Sequence, residues 1–95
     1  MSVNMIINFT VKQESLNDFR AIMNDVKVNL PKVEGCHSVK ILNDLENPQA
    51  FTLIEAWESK ERHGTHVKGL IDSGAWESIA AHLAAVPASA YYREV

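Results

Sequence analysis

Gln49-Ala50-Phe51-Thr52-Leu53-Ile54-Glu55-Ala56-Trp57-Glu58 is rich in aromatic and β-branched residues and alternates strictly between two kinds of side chain. Successive side chains of a strand point to opposite faces, so Phe51, Leu53, Glu55 and Trp57 share one side and Ala50, Thr52, Ile54 and Ala56 the other. The stretch predicts a β-strand over 49–58. Its second face is small enough to lie under a helix, which leaves Phe51, Leu53 and Trp57 on the bare side.

The neighbouring segments fit around this strand. Upstream, His37 to Leu42 reads as a strand, and Asn43-Asp44 with Asn47-Pro48 supplies a turn through side chains that bond their own backbone and a fixed proline φ. The two strands therefore form a hairpin. Further upstream, Leu16, Phe19, Ile22, Met23, Val26 and Leu30 recur at spacings of three and four after Ser15, with Asp18 three residues on as a variant capping box. This predicts a helix ended by Pro31 and Gly35. Before it, Val3, Met5, Ile7, Phe9 and Val11 alternate with Asn4, Ile6, Asn8 and Thr10 as a first strand.

Downstream, Ser59 caps a helix with Glu61 in its first turn and an end near Gly69. After Asp72-Ser73-Gly74, Trp76, Ile79, Ala80, Leu83 and Val86 mark another helix running to Pro87. Ala90 to Val95 forms a last strand. Strand, helix, strand, strand, helices, strand is the split βαβ order of an α+β, ferredoxin-like domain with a four-stranded antiparallel sheet. Helices on one face leave the other uncovered, and Ile6, Phe51, Leu53 and Trp57 on that face need covering. Two copies packed sheet to sheet would bury it and enclose a cavity, so a homodimeric α/β barrel is the expectation.

Composition bounds the partners. The 95 residues make one domain, since a unit of this size buries only roughly 60–65% of its extended-chain surface. Apolar residues at 46% and charged ones at 22% describe a chain that folds. Nine basic against twelve acidic residues, net −3, give no basic stripe for nucleic acid. No apolar run approaches the roughly 18 residues that span a bilayer, and the amino terminus lacks the pattern of a signal peptide. A cytoplasmic protein with no membrane partner is expected. Cys36 is the only cysteine, which rules out an intrachain disulfide and suits a reducing compartment; it reads as a small buried hydrophobe.

Several residues carry chemistry. Trp57 offers a flat ring for stacking and one N–H donor. His66 titrates near neutrality and can take a proton from a phenol, whose anion reduces dioxygen far more readily. His63 shares its helix face, but no third ligand is evident, so no metal site is expected. Asn4 and Asn8 lie opposite the apolar series of the first strand and would point into a cavity between sheets. Asn8 could hold a substrate carbonyl or a superoxide-like oxygen. Glu55, on the Trp57 face, titrates high if desolvated and could serve as a second acid or base. Core packing, surface solvation or a pair between Glu55 and Arg93 would explain the same residues without chemistry.

Glu34-Gly35-Cys36, the strand from Phe51 to Ile54 running into Glu55-Ala56-Trp57-Glu58, and His66 nine residues later together resemble the antibiotic biosynthesis monooxygenase family and its small quinol monooxygenases. There, a Pro-Gly-Cys turn precedes the second strand, a Glu-x-Trp pair closes the third, and a histidine follows. Glu34 stands at the family proline. The common Ser-Pro-His-Phe segment is replaced by Leu70 to Trp76, with Ala75 where a second histidine often stands. The resemblance implies a dimeric barrel that oxidises a small phenol or quinol with dioxygen and needs no metal, flavin or haem. His66, Trp57 and Asn8 would be catalytic; Phe51, Glu55 and Asn4 would bind substrate. A binding module that only sequesters an aromatic metabolite would use the same fold. Haem-degrading monooxygenases share the barrel too: Asn8 and Trp57 match their pattern, but Ala80 stands at the axial histidine, and His82 lies about 200° further round the helix.

Overall fold

The computed structural model describes residues 2–95. Its strands are β1 (Val3–Thr10), β2 (Cys36–Asn43), β3 (Ala50–Trp57) and β4 (Ala88–Tyr92), and its helices α1 (Leu16–Asn29), α2 (Lys60–Asp72) and α3 (Ala75–Ala80). All strand pairs are antiparallel, in the order β2-β3-β1-β4. This is the α+β, four-stranded antiparallel, ferredoxin-like arrangement that the element order predicts.

Register corrects the assignment of faces. Phe51 pairs with Phe9, Leu53 with Ile7, Glu55 with Met5 and Trp57 with Val3. The large-residue face of β3 is therefore continuous with the apolar face of β1, and both lie under the helices. Phe19 of α1 seals it, with ring centroids 5.3 Å from Phe9 and 5.1 Å from Phe51. These rings form the buried core with Val11, Met23, Leu53 and Leu83. The bare face carries the other alternation, in which Ile6 meets Ile54, Asn4 meets Ala56 and Asn8 meets Thr52. Of the residues expected there, only Ile6 is present; burying a phenyl ring, a leucine and an indole is worth more than burying Ala50, Thr52 and Ala56.

A bulge places one more residue. The β2–β3 register shifts between Cys36 and Ser38, so Cys36 faces the core beside Trp57 while Val39 and Ile41 keep the buried side. An extra residue in one strand reverses the alternation beyond it. Gly35 just before the bulge has φ +91°, a conformation costly for residues with a Cβ.

The helices differ from expectation in three details. Ser15 precedes α1 but makes no capping hydrogen bond, because a 3-10 turn at Gln13–Ser15 intervenes. Ser59 does cap α2, accepting from the Arg62 N–H at 3.1 Å, and α2 runs past Gly69 to Asp72. The last helix stops at Ala80 rather than Pro87. Beyond it the chain pairs with the end of β1, where Lys12 N–H donates to the His82 carbonyl and Ala84 N–H to that of Thr10, at 2.9 and 2.8 Å. That pairing places Leu83 in the core beside Val11. Among the described residues no helix is long and apolar enough to cross a membrane.

Candidate active site

A cavity of about 550 Å³ lies within the single chain, between the covered sheet face and the helices. The sequence pattern predicts a cavity between two packed sheets; the residues lining this one belong to the covered face of the sheet and to its own helices. Met5, Ile7 and Leu53 form its floor, Met23 and Val26 of α1 one wall, and Leu70 with Trp76 another. The polar groups of its inner end come from β3 and α2.

Alternation on β3 puts Glu55 and Trp57 on the same covered face, two residues apart. Trp57 is completely buried and its indole N–H donates to Glu55 Oε1 at 2.6 Å. Helical spacing brings His63 and His66, three residues apart, onto the α2 face above them. The His66 ring lies 5.3 Å from that of Trp57 at a 34° tilt, and the His63 ring stands edge-on to it at 5.4 Å. His63 Nε2 is 3.9 Å from Glu55 Oε1. On its other side a 2.6 Å hydrogen bond joins His63 Nδ1 to the Tyr91 hydroxyl, with the direction set by the imidazole tautomer. Tyr91 reaches this place because its strand position pairs with Met5, on the covered face; Lys60 Nζ lies 5.0 Å from the centre of its ring.

Burial sets the charge states. Desolvation raises the Glu55 carboxyl above its ordinary value, and the indole N–H, which favours the carboxylate, offsets this only in part. Desolvation lowers His63, helped by the neighbouring His66, and lowers His66 as well. All three groups are thereby biased toward their neutral forms. A neutral imidazole is the form that accepts a proton. The Cys36 thiol is raised, chiefly by burial and then by Glu55, and its Sγ contacts the Ser38 carbonyl, so it is a packing residue here.

The residues expected to carry chemistry thus divide. Glu55, Trp57 and His66 come together, with Glu55 and His66 on the cavity surface and Trp57 packed beneath it. Phe51 belongs to the aromatic core with Phe19, away from the cavity. Asn4 and Asn8 lie on the opposite face of the sheet, since register gives that face to the even positions of β1; Asn8 Oδ1 there accepts from the Thr52 hydroxyl at 2.7 Å. Ala80 ends α3, and His82 lies in the following turn, absent from the cavity wall. The sequence leaves open whether Tyr91 faces the pocket or a dimer edge, and offers His63 only as half of a metal pair; register with Met5 puts Tyr91 on the covered face, where it meets His63. Among the described residues no three His, Cys, Asp or Glu side chains are grouped to hold a metal ion.

The sequence profile of the antibiotic biosynthesis monooxygenase family matches residues 2–70. No curated protein matches the chain. Among solved structures, a conserved protein from Methanosarcina mazei Go1 superimposes with a TM-score of 0.87 at 20% identity, covering 100% of this chain and 94% of that one. An antibiotic biosynthesis monooxygenase homologue from Bordetella bronchiseptica gives 0.83 at 23% identity, with 99% and 97% covered. A variant of SnoaB, a cofactor-independent oxygenase from Streptomyces nogalater, gives 0.82 at 11% identity, with 98% and 92% covered.

Proposed function

The chain belongs to the antibiotic biosynthesis monooxygenase family, and we propose that it is a cofactor-independent oxidoreductase that oxidises a small phenol or quinol with dioxygen. The observation that carries this reading is the convergence of Glu55, His63 and His66 at one end of a largely apolar cavity, above the buried indole of Trp57. The flat substrate lies between the sheet and the helices with its hydroxyl toward His66. Neutral His66 takes the hydroxyl proton, and Trp57 holds both the His66 ring and the Glu55 carboxyl in place. The resulting phenolate gives electrons to dioxygen in a site lined by hydrocarbon. For a phenol with a free para C–H, one oxygen atom enters as the second quinone oxygen and the other leaves as water, which balances atoms and electrons.

Oxygen uptake tests this. Chelator-treated protein is expected to consume dioxygen with quinols or naphthols, and His66→Ala and Trp57→Ala to lose that activity. Full turnover in both variants would overturn the assignment. Binding of such ligands with no uptake would replace the enzyme with a binding protein.

We also propose a homodimer, built on the bare face through Ile6 and Ile54 with Tyr92 exposed beside them on β4. Light scattering at micromolar concentration is expected to give twice the chain mass, and Ile54→Lys to give the monomer. A wild-type monomer contradicts the proposal.

A further inference from the structure

The charge lining the cavity is one-sided. Its walls include two carboxylates, Asp25 and Glu55, and neither lysine nor arginine. Asp25 sits on the last turn of α1, and its Oδ1 accepts from Asn29 Nδ2 at 2.8 Å, so the carboxylate is held on the same wall as its amide partner. The C-terminal end of a helix carries partial negative charge of its own, which adds to Asp25. Glu55 stands at the inner end. Its Oε1 receives the indole N–H, while Oε2 makes no hydrogen bond among the described residues. No buried side-chain oxygen is left without a partner, so Oε2 has its opening on the cavity.

We propose that the cavity selects uncharged hydroxyaromatic compounds and rejects their carboxylated counterparts, with Asp25 and Glu55 as the specificity-determining residues. The proposal rests on the reading of the cavity as an aromatic-substrate site and adds the charge class of what enters. The argument holds for either state of Glu55. Ionised, it repels a second carboxylate directly. Protonated, it offers a single hydrogen bond, and an anion stripped of water among methionine, leucine and valine side chains still meets no countercharge. The histidines do not supply one at rest, because the same burial that excludes the anion keeps both rings neutral. A neutral phenol escapes this penalty: it enters without charge and ionises only by handing its proton to His66, so the cavity gains an ion pair rather than a lone anion. A volume of about 550 Å³ falls in the range of small-molecule sites and suits a small fused-ring system.

The experiment compares ligands of equal size. Calorimetric titration of the protein at about pH 7.5 with 1-naphthol, with 4-hydroxy-1-naphthamide and with 4-hydroxy-1-naphthoate separates charge from bulk. The amide is expected to bind comparably to the naphthol, and the carboxylate at least about tenfold more weakly than the amide, a difference of about 1.4 kcal/mol. Asp25→Lys, a change at an exposed position outside the folding core, is expected to narrow or invert that ratio. Binding of the carboxylate within about threefold of the amide by the wild type overturns the proposal, as does a ratio that Asp25→Lys leaves unchanged. A protein that binds none of the three compounds removes the aromatic-site reading and the charge selection with it, an outcome distinct from tight binding of the anion.

Discussion

Cutting the contact between Glu55 and Trp57 probes the centre of the site without any substrate. The indole N–H reaches Glu55 Oε1 across 2.6 Å, with Trp57 fully buried and Glu55 only 6% exposed. A hydrogen bond to an ionised group contributes about 1.5–3 kcal/mol and a neutral one about 0.5–1.5. Trp57→Phe keeps an aromatic ring and removes the donor; Glu55→Gln keeps an acceptor and removes the charge. A double-mutant cycle of these two changes therefore isolates the charged part of the bond, expected to be about 1–1.5 kcal/mol near pH 8. Near pH 4 the carboxyl is protonated and the coupling is expected to fall toward zero. For a domain of this size 1 kcal/mol shifts Tm by about 4–8 °C, so urea denaturation followed by circular dichroism resolves it readily. A coupling of zero near pH 8, or one of equal size at both pH values, refutes the reasoning that an ionisable carboxyl is held by the indole.

Three further outcomes follow from the same geometry. A carboxyl whose folded titration lies above its unfolded one keeps a proton that the unfolded chain has released, so Glu55 removes stability as pH rises from about 4.5 to its raised folded value. His63 and His66, lowered on folding, remove stability as pH falls below about 6.5; Glu55→Gln is therefore expected to leave stability rising with pH up to about that point and flat from there to about pH 8 in pH-dependent melting curves, above which the raised Cys36 and Tyr91 titrate, and a decline between about pH 6.5 and 8 would contradict the assignment. His66→Gln is expected to slow oxygen uptake with a quinol by about 10²–10⁴-fold, and wild-type uptake to rise with pH through a midpoint below 6.5, because neutral imidazole is the working form. Gly35→Ala places a Cβ 2.8 Å from Arg62 Cβ at φ +91°; strain of this kind costs about 1–3 kcal/mol, and an unchanged denaturation midpoint would show that the turn relaxes freely.

The order of elements was legible because each one carries its own period, and local periodicity survives whatever the rest of the chain does. The orientation of β3 was not. Alternation says that Phe51 and Trp57 share a face, but not which layer that face meets, and the choice is made by register with β1, a contact between residues more than forty positions apart. Pairing of Phe51 with Phe9 carries the large residues of β3 under the helices together with the apolar series of β1, and leaves Asn4 and Asn8 on the bare face with Ala56 and Thr52. The end of α3 was hidden for a similar reason. Leu83 continues the helical spacing, yet its partner is Val11, more than seventy positions earlier in the chain, and a bridge to that segment competes with another turn of helix.

Glu55 held the information that would have located the site. In the series Phe51, Leu53, Glu55, Trp57 it is the one ionisable group on a face otherwise apolar. A carboxyl on a face that large must either meet water or be satisfied by donors from the covering layer. A bare face meets the first condition. The covered face demands a donor, and it comes from the same strand, as the Trp57 indole N–H, with His63 and His66 of α2, the helix that directly follows β3, packed above the pair. His63 in turn needs a partner for its second nitrogen, which the covered position on β4 supplies as Tyr91. The register that buries Glu55 with its Trp57 donor and His63 with its Tyr91 partner thus converts an isolated acid in the sequence into the polar end of a cavity.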